Sequence, residues 1–169
     1  MKLLASFLLL IGVTLLIRST ALTSLAVRGI VIDALAFATV VWALRYGESW
    51  GTGFGFALGL AADLDAAHWL GRHALVLALV GYVVGRSSLS LVRESPGTQL
   101  VLLFLVTLVH QAWIAAFDFG GVFAWGPLFH RVILAALITA PVGTLLLMLL
   151  RIVTGTPLFH ATAQSGPSA

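Results

Sequence analysis

The chain has 169 residues, of which 60% are hydrophobic and 9% are charged, and its formal net charge is +3 at pH 7. Soluble domains carry charges on about a quarter of their residues, so this composition excludes an ordinary soluble protein and indicates a chain embedded in a bilayer. The sequence contains no cysteine, which excludes disulfides, thiolate metal sites and thiol nucleophiles. The nine basic residues are scattered, which predicts contact with anionic membrane lipids and no binding of nucleic acid.

The length and hydropathy predict an all-α integral membrane protein, a six-span transmembrane helix bundle. A crossing needs about 20 apolar residues, so a chain of this length accommodates six crossings with short turns. The predicted spans cover residues 3–22, 26–44, 50–69, 72–92, 98–117 and 128–151. Together they form a single polytopic domain over residues 1–155, and residues 156–169 form a short polar tail. The alternative for the first span is a secretory signal peptide, because Lys2 precedes the apolar run and small residues follow it.

The loop between the fifth and sixth predicted spans decides the orientation. Basic residues are divided almost equally between the two sides of the bundle, so the positive-inside rule has little force here. The aromatic stretch "FDFGGVFAWGP" contains Asp118 and no Lys or Arg, which is typical of an outer loop. We therefore predict a multi-pass protein with its amino and carboxyl termini in the cytoplasm.

Small residues form a stripe on each of the third and fourth predicted spans. The first stripe comprises Gly51, Gly55, Gly59 and Asp63, and the second comprises Ala74, Ala78, Gly81 and Gly85, with Tyr82 beside it. Residues four apart lie on one helix face, and small side chains let helix backbones approach closely in a membrane. The stripes predict either packing between these two spans or a docking face for another protein's membrane helix.

Charged and imidazole side chains gather at the outer end of the predicted bundle. Besides Asp63, this predicted outer polar layer contains Asp33, Asp65, His68, Arg72, His73, Asp118, His130 and Arg131. A carboxylate at membrane depth costs several kcal/mol, so each acid needs a partner. One interpretation pairs the acids with Arg28, Arg72 and Arg131. The others are a ligand- or partner-binding layer, and a metal site built from Asp63, Asp65, His68 and His73.

The fifth predicted span carries polar residues inside an apolar helix. Thr107 and Gln111 are four residues apart, and His110 lies beside them. This pattern predicts hydrogen bonds to another span, with a proton relay or solute contact as the alternative. The sequence has no nucleophile elbow, zinc-protease motif or phosphate-binding glycine loop, so we predict a protein that is not an enzyme and has no cofactor.

The stretch from Gly55 to Arg86 resembles the rod-shape-determining MreD family of bacterial membrane proteins. The family motif is a glycine pair followed by Asp-Leu, a short turn with Leu-Gly, and a helix that begins with Ala-Leu. The matching residues here are Gly55, Gly59, Asp63, Leu64, Leu70, Gly71, Ala74, Leu75, Tyr82 and Gly85. The match covers about a fifth of the chain, and "DAAHW" departs from the usual turn by adding Asp65 and His68.

The resemblance implies a non-enzymatic scaffold of the cell-elongation machinery in the bacterial inner membrane. Its expected direct partner is MreC, a single-span protein, and its wider complex contains the actin-like MreB, RodA and a class B penicillin-binding protein; a homo-oligomer is left open. The family is similar in fold to the substrate-binding subunits of energy-coupling-factor transporters. That similarity provides the alternative function, a membrane subunit that binds a small, vitamin-type solute.

Overall fold

The computed structural model describes residues 2–22, 31–66, 70–88, 95–118 and 125–154. Within these ranges all regular secondary structure is helical. The helices are α1 (Lys2–Ile17), extended by a π-helical segment (Arg18–Leu22), α2 (Ala34–Ala66), α3 (Arg72–Ser87), α4 (Pro96–Asp118) and α5 (Trp125–Thr154). The predicted all-α class is therefore confirmed.

Helix α2 consists of two arms that fold back on each other at Gly47. The backbone of Gly47 has φ 80° and ψ −166°, a conformation open essentially to glycine alone. Trp42 and Phe54 are twelve residues apart, which would separate them by about 18 Å in a continuous helix. Their rings instead stack with centroids 4.8 Å apart. The chain therefore reverses at Gly47, between a first arm (residues 34–46) and a second arm (residues 48–66).

Helix α1 packs across both arms of α2 through an aromatic cluster. The ring of Phe7 meets that of Trp42 at 5.5 Å and that of Phe54 at 5.3 Å, both edge to face. Trp42 and Phe54 are buried. Because aromatic pairs in this geometry contribute about 0.5–1.5 kcal/mol beyond their buried area, the cluster fixes the position of α1 on the α2 hairpin.

Within the described ranges, three helices are long and apolar enough, by length and composition, to cross a membrane. They are Leu3–Thr20, Pro96–Phe117 and His130–Val153, which correspond to the first, fifth and sixth predicted spans. The second and third predicted spans correspond to the two arms of α2, and the fourth to α3. The first arm has about 13 residues and α3 has 16, so they extend about 20 and 24 Å, less than the roughly 30 Å of hydrocarbon.

The described helices also differ from the predicted spans at their ends. The first arm begins at Ala34 instead of residue 26, because Asp33 caps it there; residues 26–30 lie outside the described ranges. Helix α3 ends at Ser87, and the rest of the predicted span to residue 92 is mostly beyond the described residues. Helices α4 and α5 each extend beyond the predicted limits at both ends. The predicted tail, 156–169, is outside the described part of the chain.

The second arm of α2 and α3 form an antiparallel pair with backbones in direct contact. A Cβ atom added at Gly55 would lie closer than 3.0 Å to the carbonyl oxygen of Leu77. Equivalent contacts join Gly51 to Gly81, Gly59 to Ala74 and Gly85 to Glu48. When the contact residue on the second arm moves forward by three or four positions, its partner on α3 moves back by three or four positions, as in an antiparallel pair. Side chains at these positions would force the helices apart, so the glycines set both the distance and the register.

Candidate functional site

The carboxylate of Asp63 closes the end of the pair formed by the second arm and α3. Asp63 Oδ2 accepts hydrogen bonds from the backbone N–H groups of Gly71 (2.9 Å) and Ala74 (3.1 Å). Asp63 Oδ1 accepts from the backbone N–H of His73 (3.1 Å) and contacts its ring Nδ1 (2.7 Å). The first N–H groups of a helix have no partner within the helix and carry a partial positive charge. Asp63 therefore supplies the cap of α3 from a different helix.

The glycine register places Asp63 at this cap. Along the second arm, Gly55 and Gly59 lie against Leu77 and Ala74, and the next position four residues on is Asp63. Because the two helices are antiparallel, Asp63 lies beside the start of α3. Gly71, with φ 98°, is the residue at which the chain enters that helix. Asp63 is fully buried. The stripe and the acid thus act as one unit that holds the two helices together.

Asp33 caps the first arm of α2 and reaches two other helices. Its Oδ1 accepts a hydrogen bond from the backbone N–H of Ala36 (3.0 Å), the usual geometry of an N-cap aspartate. Its Oδ2 contacts Nδ1 of His110 (2.5 Å) and accepts from Nε2 of Gln111 (2.8 Å), both on α4. Its backbone N–H donates to the Thr139 hydroxyl on α5 (2.9 Å). One residue therefore ties three helices together.

The two carboxylate sites meet through their histidines. The rings of His73 and His110 lie with centroids 5.6 Å apart and planes tilted by 59°. All four members of this buried Asp–His cluster, Asp33, Asp63, His73 and His110, have 4% or less of their surface exposed. The cluster takes residues from both ends of α2, from α3 and from α4. It therefore joins these three helices at one end of the bundle.

The position of the hydrogen on each imidazole ring follows from the partner of Nδ1. An ionised carboxylate only accepts hydrogen bonds, so Nδ1 of each histidine donates to its aspartate. Among the described residues, the buried Nε2 atom of His110 has no hydrogen-bond partner.

The described hydrogen bonds of the two buried acids go to partners other than the predicted arginines. Asp33 and Asp63 bond to helix N–H groups and to His110, Gln111 and His73. The pairing of acids with arginines stays a prediction. Arg72 offers its backbone carbonyl to the indole N–H of Trp113 (3.1 Å). Arg131 is exposed on α5, and Arg28 lies outside the described residues.

The described residues show part of the predicted outer polar layer. The structure brings together its members Asp33 and His73 with Asp63, and Asp65 is exposed at the end of α2. His68 and the side chain of Asp118 are outside the described part of the chain. No group of three or more His, Asp or Glu side chains among the described residues could hold a metal ion. Asp63 and His73 are bonded to each other, so the metal alternative gains no support.

The polar residues of the fifth predicted span have two different environments. His110 and Gln111 bond across to Asp33, as an interhelical contact requires. The buried hydroxyl of Thr107 has no hydrogen-bond partner within the part of the chain that the structure describes. Sequence reasoning assigned His110 to a separate feature, because it lies in the middle of an apolar run. The feature of the sequence that was missed is the position of Asp33, since an aspartate directly before an apolar helix is a typical N-cap.

The stripe residues lie on two sides of the pair of helices. The glycines face the partner helix, as the contacts of Gly51, Gly55, Gly59, Gly81 and Gly85 show. Tyr82 faces outward with 39% of its surface exposed. Together with Ala78 and Phe56 it lines an open groove of about 750 Å³ on the outer side of the second arm and α3. The glycine faces are therefore used within the chain, and Ala74 and Ala78 of the second stripe also line the outer groove.

Comparisons of the sequence with models of protein families and with curated proteins, and of the structure with solved structures, found no match.

Proposed function

We propose that the chain is a non-enzymatic scaffold of the bacterial cell-elongation machinery, similar to MreD, in the cytoplasmic membrane. In this role it binds the single transmembrane helix of MreC and so helps couple MreB to the peptidoglycan synthases, RodA and a class B penicillin-binding protein. The proposal includes six membrane crossings with both termini in the cytoplasm, in which the two arms of α2 and helix α3 are the second, third and fourth crossings.

One observation carries the proposal. The residues that resemble the MreD motif form a single structural unit, in which Gly55 and Gly59 admit the backbone of α3 and Asp63 caps that helix. The unit presents a surface formed by two closely packed helices, which suits a protein that acts by binding other proteins.

The outward groove on this unit is the surface that we assign to the MreC helix. Its floor is formed by Gly71, Ala74 and Ala78, and its walls include Phe56 and Leu79. Lipid tails give helices no hydrophobic reason to associate, so close approach over small residues is a main source of affinity between membrane helices. The groove has that arrangement of a small floor between larger walls.

Replacement of one floor residue tests the assignment. Ala78→Phe fills the groove, and Val83→Phe adds the same side chain at an exposed position of α3 that does not line it. We expect Ala78→Phe to reduce MreC recovered with the tagged chain from solubilised membranes by about tenfold, equivalent to ~1.4 kcal/mol, and Val83→Phe to leave it unchanged. Equal recovery with both variants, at equal chain abundance, contradicts the proposed docking face.

The transporter alternative has a separate test. It predicts that a small molecule remains bound through purification and is identified by mass spectrometry. Among the groups in the buried Asp–His cluster, both carboxylates and both Nδ1 atoms already have partners within the chain. We therefore favour the scaffold, and a stoichiometric bound solute would reverse that preference.

A further inference from the structure

Thr107 on α4 differs from five other threonines of the chain in its hydrogen bonding. A threonine within a helix commonly donates its hydroxyl hydrogen to the backbone carbonyl four residues earlier. The threonines that do so here, at 2.6–2.9 Å, are Thr14, Thr20, Thr39, Thr52 and Thr144. The hydroxyl of Thr107 is buried and has no partner among the described residues, the carbonyl of Leu103 included. It therefore needs a partner from elsewhere.

A second buried polar atom lies one turn further along the same face of α4. His110 follows Thr107 by three residues, and helical residues three apart lie one above the other, with Cβ atoms about 5–6 Å apart. The ring of His110 bonds through Nδ1 to Asp33, whereas its buried Nε2 has no partner within the described ranges. Two neighbouring polar atoms are thus shielded from solvent and unbonded. This arrangement costs free energy unless a further molecule bonds to both.

The spacing of the two groups suits one small molecule. The Thr107 hydroxyl and Nε2 of His110 do not bond to each other. A molecule between them makes two hydrogen bonds of about 2.8 Å each, which together span up to roughly 5.6 Å. This span is comparable with the Cβ spacing of about 5–6 Å between residues three apart. Both side chains are 2% exposed or less, so a larger ligand would have to displace the side chains packed around them.

The chemistry of the two groups restricts the kind of molecule. A hydroxyl group both donates and accepts hydrogen bonds. The Nε2 atom of an imidazole accepts when it is bare and donates when it carries a hydrogen. A shared partner that suits either form must therefore be able to donate and to accept. Water does both and is small enough, and buried waters in proteins typically bond to polar groups that the protein leaves unsatisfied.

We infer that one buried water molecule bridges the Thr107 hydroxyl and Nε2 of His110. The ring of His110 is then held by Asp33 on one side and by water on the other. A continuous chain of hydrogen bonds runs from the start of the first arm of α2 through Asp33 and His110 to Thr107. A buried network of this kind stabilises a fold when all its members are bonded. The water site is independent of the proposed function, because it involves neither MreC nor the outer groove.

Solid-state NMR of the full chain in lipid bilayers, with ¹⁵N-labelled histidine, tests for this water. The signal of His110 Nε2 is identified as the one that His110→Gln removes. We expect magnetisation to pass from water protons to this nitrogen in the unmodified chain and in Thr107→Ser, which keeps the hydroxyl. Thr107→Val puts a methyl group of similar size in its place and should lose the transfer. The control, Thr39→Val, removes an equally buried hydroxyl that is bonded to Leu35 and should keep the transfer.

Equilibrium unfolding in detergent gives an independent readout of the same hydroxyl. If the hydroxyl bonds to water, Thr107→Val removes that bond and should raise the unfolding equilibrium constant by about fivefold. If the hydroxyl were unbonded, a methyl group in its place would lower that constant or leave it unchanged. Such a result overturns the inference. So does a lack of water transfer to His110 in the unmodified chain, or equal transfer in the Thr107→Val and Thr107→Ser variants.

Discussion

The imidazole rings of His73 and His110 lie 5.6 Å apart, and each is held through Nδ1 by an aspartate that caps a helix. Asp63 caps α3 from the end of α2, and Asp33 caps the start of α2 itself. The two ends of one helical hairpin therefore converge on two neighbouring histidines. In a protein interior without water, such a cluster is stable only when its members are bonded, so loss of one member leaves the others unsatisfied.

Asp63→Asn should destabilise the protein. The amide nitrogen of asparagine cannot accept the hydrogen bonds that one carboxylate oxygen now receives, and the charge at the start of α3 is lost. We expect the free energy of unfolding in detergent to fall by roughly 2–3 kcal/mol. The matched change at the exposed neighbour, Asp65→Asn, should alter it by no more than about 0.5 kcal/mol. A similar loss at both positions would show that burial of Asp63 is not the cause.

Gly55→Ala should force the second arm and α3 apart, since the new methyl group would meet the backbone of Leu77. Backbone atoms cannot rotate out of the way as a side chain does, so we expect a loss of about 1–3 kcal/mol in unfolding free energy. The control is Gly53→Ala, where a Cβ has no neighbour within 4 Å. That change should be neutral or stabilise by up to about 1 kcal/mol, because alanine favours the helix. Equal destabilisation by both would contradict the packing register.

Gly47→Ala should strain the reversal between the two arms of α2. A Cβ at this position has no neighbour within 4 Å, so the effect comes from the backbone conformation alone. We expect a cost of about 1–3 kcal/mol, measured by equilibrium unfolding in detergent. Gly12→Ala, in the regular helix α1 and equally uncrowded, serves as the comparison and should not destabilise. If Gly47→Ala were as stable as the unmodified chain, the described backbone at the reversal would be wrong.

Asp33 and His110 should be energetically coupled. In a double-mutant cycle with Asp33→Asn and His110→Gln, the loss in the double variant should differ from the sum of the single losses by about 1–3 kcal/mol. His130 is exposed on α5 and lies outside the cluster, so His130→Gln combined with Asp33→Asn should be additive to within about 0.5 kcal/mol. If the losses were additive in both cycles, the contact between Asp33 and His110 would not contribute to stability.

The sequence predicted the helical class and the contact between the third and fourth predicted spans because both depend on local spacing. A repeat of glycine every four residues defines one helix face whatever surrounds it, and a short turn makes neighbouring helices antiparallel. The same reasoning placed the break between the second and third spans around Gly47. It could not give the start of the first arm, which depends on the Asp33 cap.

The amino-acid order by itself determined that the chain is apolar, helical and built around a glycine-packed pair of helices, since these features depend on composition and on residues near one another in sequence. Only the tertiary structure decided what the buried acids do. Asp33 and His110 are 77 residues apart, and no periodicity links them. Their pairing depends on which helix ends meet, and therefore on how whole helices pack, which the hydropathy of each span leaves open.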